Sequence, residues 1–196
     1  MDFKRIFTKE KDCPLWSVCY PEHEKDGKPK DIFRILLKKW NDDEFLDTFF
    51  NENEEILNKY WEISIDEAFE RVKNESLVFE VQLSGIINNK PQYVGKELKD
   101  LFKRLHVSST SGITINDSHR KGKPDLGEPM IRLYAIELHD ETIIITGGGI
   151  KLYDTMQASN LDGENNQLRK VQQYLSEQNI RTREDLLKQF VYEKET

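Results

Sequence analysis

Met130-Ile-Arg-Leu-Tyr-Ala-Ile-Glu-Leu-His-Asp-Glu-Thr-Ile-Ile-Ile-Thr-Gly-Gly-Gly-Ile-Lys151 is the stretch that decides the fold. It reads as two strands joined by a tight turn. From Met130 to His139 the alternate positions Ile131, Leu133 and Ala135 are apolar, and so are Tyr134, Ile136 and Leu138 between them. A strand apolar on both faces belongs in the middle of a sheet. His139-Asp140-Glu141 is a polar turn, and Thr142 to Thr146 resumes a β-branched run. The three glycines at 147–149 then predict the end of the strand, at a place where a side chain would obstruct a bend, a packed neighbour or a ligand.

Working outward, Leu15 to Tyr20 predicts a strand bordered by Pro14 and Pro21. Residues 31–80 predict helices. Asp31 caps a helix through about Trp40, with Phe33, Leu36, Leu37 and Trp40 at helical spacing. The acidic Asn41-Asp-Asp-Glu44 opens a second that carries Phe45, Leu46, Phe49 and Phe50. Glu54 to Tyr60 follows, and a helix from Ser64 or Asp66 turns Ala68, Phe69, Val72 and Leu77 inward. Gly95 to Leu105 reads as an amphipathic helix with Leu98, Leu101, Phe102 and Leu105 on one face. Residues 106–129 have loop compositions around a short strand at 113–115. Two last helices are expected, one over 166–178 with Leu168, Val171 and Leu175 inward, one from Thr182 or Arg183 to Tyr192. The expectation is an α+β class: one domain over 1–196, a small antiparallel sheet with helices packed on it and a helical N-terminal half. Residues 31–105 form a mainly helical insertion, and 106–178 hold the sheet and a C-terminal helix.

Charge narrows the function. The net charge is −7, with 13 basic and 20 acidic groups over residues 1–80 and 16 of each over 81–196. Bulk attraction to phosphate needs a positive surface, so a nucleic-acid role must rest on a local patch. No leader of the secretory type opens the chain and no apolar run reaches bilayer length, so a cytoplasmic location without a membrane is expected. Cys13 and Cys19 read as two buried small residues, and with His23 they lack the paired spacing of a metal site. No cofactor or metal is expected. Gly147-Gly-Gly-Ile-Lys151 does not have phosphate-loop spacing, and no Gly-x-Ser-x-Gly is present.

The order strand, helical hairpin, consecutive antiparallel strands resembles the RelE/HigB superfamily of bacterial toxins. The residues that carry the likeness are Arg132-Leu-Tyr on the first strand of the hairpin, then Ile143 to Gln157 with Lys151 at its centre, then the helix after Glu164. The chain is also similar to a group of bacterial proteins sharing an Arg-Leu-Tyr-Ala-Ile strand and a Gly-Gly-x-Ile-Lys-Leu segment. The resemblance spans about residues 95–178. It implies metal-independent mRNA cleavage, either alone or only with the ribosome, and an antitoxin or other protein partner. Moving the RNA 2′-oxygen onto the adjacent phosphate requires a base, a cation and an acid. The residues expected to supply them are Lys151, Arg132, His139 and Tyr153, with His119 a further proton carrier. Lys99, Lys103, Arg104, Arg120, Lys121 and Lys123 are expected to hold the RNA backbone. The alternative is a non-catalytic interaction module whose acidic helical half binds a basic partner.

Overall fold

The computed structural model describes residues 1–21, 30–105, 118–153 and 162–192. The expectations for residues 22–29, including His23, and for 106–117, including the strand at 113–115, lie outside the described residues.

The fold is α+β, with seven α-helices and a six-stranded mixed sheet among the described residues. The strands are β1 (Asp2–Arg5), β2 (Leu15–Cys19), β3 (Phe102–Arg104), β4 (His119–Gly122), β5 (Ile131–Glu137) and β6 (Ile143–Ile150). They lie in the order β1-β2-β6-β5-β4-β3. The hairpin forms as the sequence implies, with β5 and β6 antiparallel and at the centre. The sheet is not purely antiparallel: β2 pairs β6 in parallel, Leu15 beside Ile143 and Ser17 beside Ile145. A parallel neighbour requires a long crossover, and the helical segment between the two strands supplies it.

The helices are α1 (Ile32–Trp40), α2 (Asp43–Glu52), α3 (Glu54–Tyr60), α4 (Ile65–Ile87), α5 (Leu98–Leu101), α6 (Asp162–Glu177) and α7 (Arg183–Tyr192). Their starts follow capping chemistry. Asp31 accepts from the Arg34 N–H, Asp42 from the Phe45 N–H, and Ser64 with Glu67 closes a reciprocal capping box. Leu77 corrects its expected inward role: it is 59% exposed.

Two cores flank the sheet. Ile131, Leu133, Ala135 and Ile145 point to one side, where α1 to α4 bring Phe33, Trp40, Phe50 and Phe79. Trp16, Tyr134, Ile136 and Ile144 point to the other, under Leu168, Val171, Leu175 and Leu186 of α6 and α7. That two-sided cover is why β5 reads as apolar on both faces, broken by Arg132 and Glu137.

The expected helix over 95–105 is corrected. Only Leu98–Leu101 is helical, and Phe102 to Arg104 is the edge strand β3. Phe102 enters the core under α4, whereas Leu105 enters the one under α6. Residues three apart reach opposite faces of a sheet, which one stripe of a helix does not allow. The glycines also do not end β6. The strand continues to Ile150, with Gly147, Gly148 and Gly149 opposite Tyr134, Leu133 and Arg132, after a bulge between Tyr134 and Ala135.

Candidate functional site

The site lies where β6 ends beside the start of β5. Lys151 follows the last residue of β6, and its N–H donates to the Met130 carbonyl at 2.7 Å. Arg132 is one residue inside β5, only 7% exposed, and its guanidinium donates to the carbonyls of Pro129 and Ile131. Burial pushes its pKa down, with Arg71 adding to that; Glu75, Tyr134 and Glu128 oppose it. An arginine keeps its charge under such shifts. On β4, Lys121 is paired across the strands with Tyr134. Its pKa is lowered by burial first, then by repulsion from Arg132, Lys151 and Lys123. Four cations from three segments therefore share one end of the sheet.

One carboxylate there is already engaged. Glu75 of α4 reaches the sheet and accepts from the Met130 and Ile131 N–H groups, at 2.6 and 3.0 Å, and from Arg71 at 3.0 Å. It ties the start of β5 down and balances part of the buried Arg132 charge.

Aromatic rings adjoin these cations. The Trp61 indole N–H donates to the Leu152 carbonyl at 3.0 Å. Lys151 Nζ lies 5.8 Å and Arg71 Cζ 4.9 Å from its ring centre. Tyr153 packs at 5.6 Å against Tyr60, the last residue of α3.

The sequence candidates divide by position. Lys151, Arg132, Tyr153, Lys121 and Lys123 gather at this end. His139 does not: it is an exposed turn residue whose N–H donates to the Arg181 carbonyl. Seven residues of strand separate it from Arg132, roughly 20 Å or more. His119 is buried and lies 2.6 Å from Gln172 of α6 through Nε2, so it joins β4 to the helix above. Burial lowers its pKa, against the Gln172 contact. The basic segment Arg120 to Lys123 is strand rather than loop over Arg120–Gly122. Arg120 forms an ion pair with Glu137 on the face opposite Lys121. Lys99 pairs with Glu97, and Lys103 and Arg104 are exposed on the edge strand.

Sequence reasoning missed Trp61, Tyr60, Arg71 and Glu75, because nothing local marks a helix residue as facing a strand end far along the chain. It also missed Glu164. The Glu164 carboxylate accepts from the Gly148 N–H and fills the space that a Gly147 Cβ would take, with Oε2 1.8 Å from it. Burial raises its pKa, against the Gly148 bond and Lys39.

Both cysteines are buried thiols. Burial raises the pKa of Cys13 and pushes Cys19 up to about 12. Among the described residues, no group of three or more His, Cys, Asp or Glu side chains is placed to hold a metal ion, and no helix is long and apolar enough to cross a membrane. No family model, curated protein or solved structure matches the chain.

Proposed function

We propose that the protein binds RNA at this end of the sheet and cleaves it in the manner of a RelE/HigB-like, ribosome-dependent endoribonuclease. The observation that carries the reading is the convergence of Lys121, Lys123, Arg132 and Lys151, close enough that three of them depress the pKa of the fourth. Burying like charges together is costly and is relieved by an anion. In the reaction the 2′-oxygen gives up its proton and bonds to phosphorus, and the 5′-oxygen leaves with a proton. The phosphorane between them carries more negative charge than the substrate, so fixed cations stabilise it more. Tyr153, two residues beyond Lys151, is the proton carrier retained at this end; His139 is too distant for the same role.

The test is expression in a bacterial host, with growth, translation and ribosome-dependent mRNA cleavage followed. Lys151→Ala and Lys121→Ala should each lower cleavage about 10²–10³-fold, the cost of removing one such stabilising group. Arg132→Lys is the better probe at its position than Ala, because it keeps a cation near the buried Glu75 carboxylate and most of the side-chain volume. A wild-type protein that neither arrests growth nor cleaves RNA would overturn the reading.

The second reading is a protein-interaction module acting through the acidic helices. Its support is that Asp43, Glu44, Asp47, Glu52, Glu54 and Glu55 are exposed along α2 and α3. An antitoxin or other basic partner is the class of protein it would take.

A further inference from the structure

We propose that Tyr60, Trp61 and Tyr153 form a stacking platform for an unpaired base, and that Lys151 beside them holds an adjacent phosphate of the same single strand. The inference rests on the RNA reading and extends it to a subsite that α3 brings to the sheet.

The rings are accessible. Tyr60 is 37% exposed, and Trp61 and Tyr153 are partly exposed. They are also fixed before any ligand arrives. The Trp61 backbone N–H closes the last turn of α3 on Leu57 at 2.9 Å, and its indole N–H is anchored on Leu152. With that polar handle engaged, the ring offers only its face and edge. Tyr60 and Tyr153 meet at 59°, so each props the other while leaving ring surface open. Ordering that already exists need not be supplied on binding.

The cations are interleaved with the rings rather than set apart. Lys59 Nζ is 5.1 Å from the Tyr60 ring centre, and Lys151 and Arg71 flank Trp61. Lys151 also belongs to the group that repels Lys121. One continuous surface therefore runs from exposed rings to concentrated positive charge, assembled from residues 59–61 and 151–153. Proteins that take single-stranded nucleic acid combine these two elements: π-faces for bases and cations for the backbone. A duplex hides its base faces, so the platform discriminates in favour of unpaired RNA.

The experiment uses the full chain and fluorescein-labelled ten-nucleotide RNA, single-stranded and as a duplex of equal length. Tyr60→Ala should weaken single-strand binding about 5- to 50-fold, the range for losing a stacked base. It should leave duplex binding unchanged, and Tyr60→Phe should retain wild-type affinity. Trp61 emission should be quenched by the single strand and not by inorganic phosphate. Equal single-strand affinity for wild type and Tyr60→Ala would overturn the platform while leaving the RNA reading standing. Failure of the wild type to bind either RNA would overturn both. Equal binding of poly-glutamate, with no loss in Tyr60→Ala, would assign the cations to an acidic peptide and also overturn the platform.

Discussion

His119 shows how burial turns a titratable side chain into a structural one. Gln172 Oε1 is an acceptor, so the neutral imidazole presents its Nε2 proton to it across the β4–α6 contact. Its pKa lies below the ordinary value because burial disfavours the cation. Above an ordinary His pKa of about 6.5 the native and unfolded chains are equally unprotonated there, and the contribution is fully present. As pH falls from about 6.5 towards the depressed native value, the unfolded chain gains a proton that the native state resists, and stability is lost. Glu164 has the opposite sign: its raised pKa means stability is lost as pH rises above about 4.3. Urea unfolding of wild type and His119→Gln at each pH from 5 to 8 cancels the Glu164 contribution. The wild type should lose more stability than the variant between pH 7 and 5. Parallel pH profiles would mean that His119 is not held neutral.

At the scale of elements, the glycines of β6 differ from one another in a testable way. A Cβ on Gly148 would lie 2.5 Å from the Arg132 carbonyl oxygen, a backbone atom of the paired strand. A Cβ on Gly147 meets the tip of Glu164, which can swing away. Gly148→Ala should therefore cost more than Gly147→Ala, about 1–3 kcal/mol as overpacking of a rigid site. Thermal unfolding of the two variants measures it, and a larger loss in Gly147→Ala would contradict the assignment. The same strand marks what was legible in sequence. β5 and β6 were, because a β-branched run with a polar turn has few other folds. So were α1 to α4, whose caps and apolar spacing agree. β1, β3 and β4 were not: they are short, rich in Lys and Arg, and held by pairing more than by an apolar face. Lys151 stood out after the glycines and Arg132 on an otherwise apolar strand, and the strand register places both at one end of the sheet. Tyr60, Trp61 and Arg71 could not be seen, since their relation to the strand end exists only after α3 and α4 pack.

Across the whole molecule the acidic half and the cationic end would act on an RNA ligand with opposite sign. On the proposed reading, the net charge of −7 repels RNA at long range, while Lys121, Arg132 and Lys151 attract it locally. Part of the acidic field is on α3 itself, where Glu54 and Glu55 are exposed one to two turns before Tyr60. At a rise of about 1.5 Å per residue they stand on the order of 10 Å away along the axis. That equals about one Debye length at 0.1 M salt, so their repulsion is felt at low ionic strength and screened at high. Glu54→Gln with Glu55→Gln should raise single-strand RNA affinity about two- to tenfold in 20 mM salt, mainly through the association rate. The gain should vanish by 300 mM. Stability should fall by about 0.3–1 kcal/mol per residue replaced, because Glu54 and Glu55 occupy the first turn of α3, where carboxylates favour the helix N-terminus. If the acidic helices are instead the docking face for a basic partner, the same double variant would bind oligolysine more weakly and leave RNA affinity unchanged at every salt concentration. The two readings thus predict opposite consequences of one pair of substitutions, and the salt series separates a field acting on RNA from a surface that is itself the site.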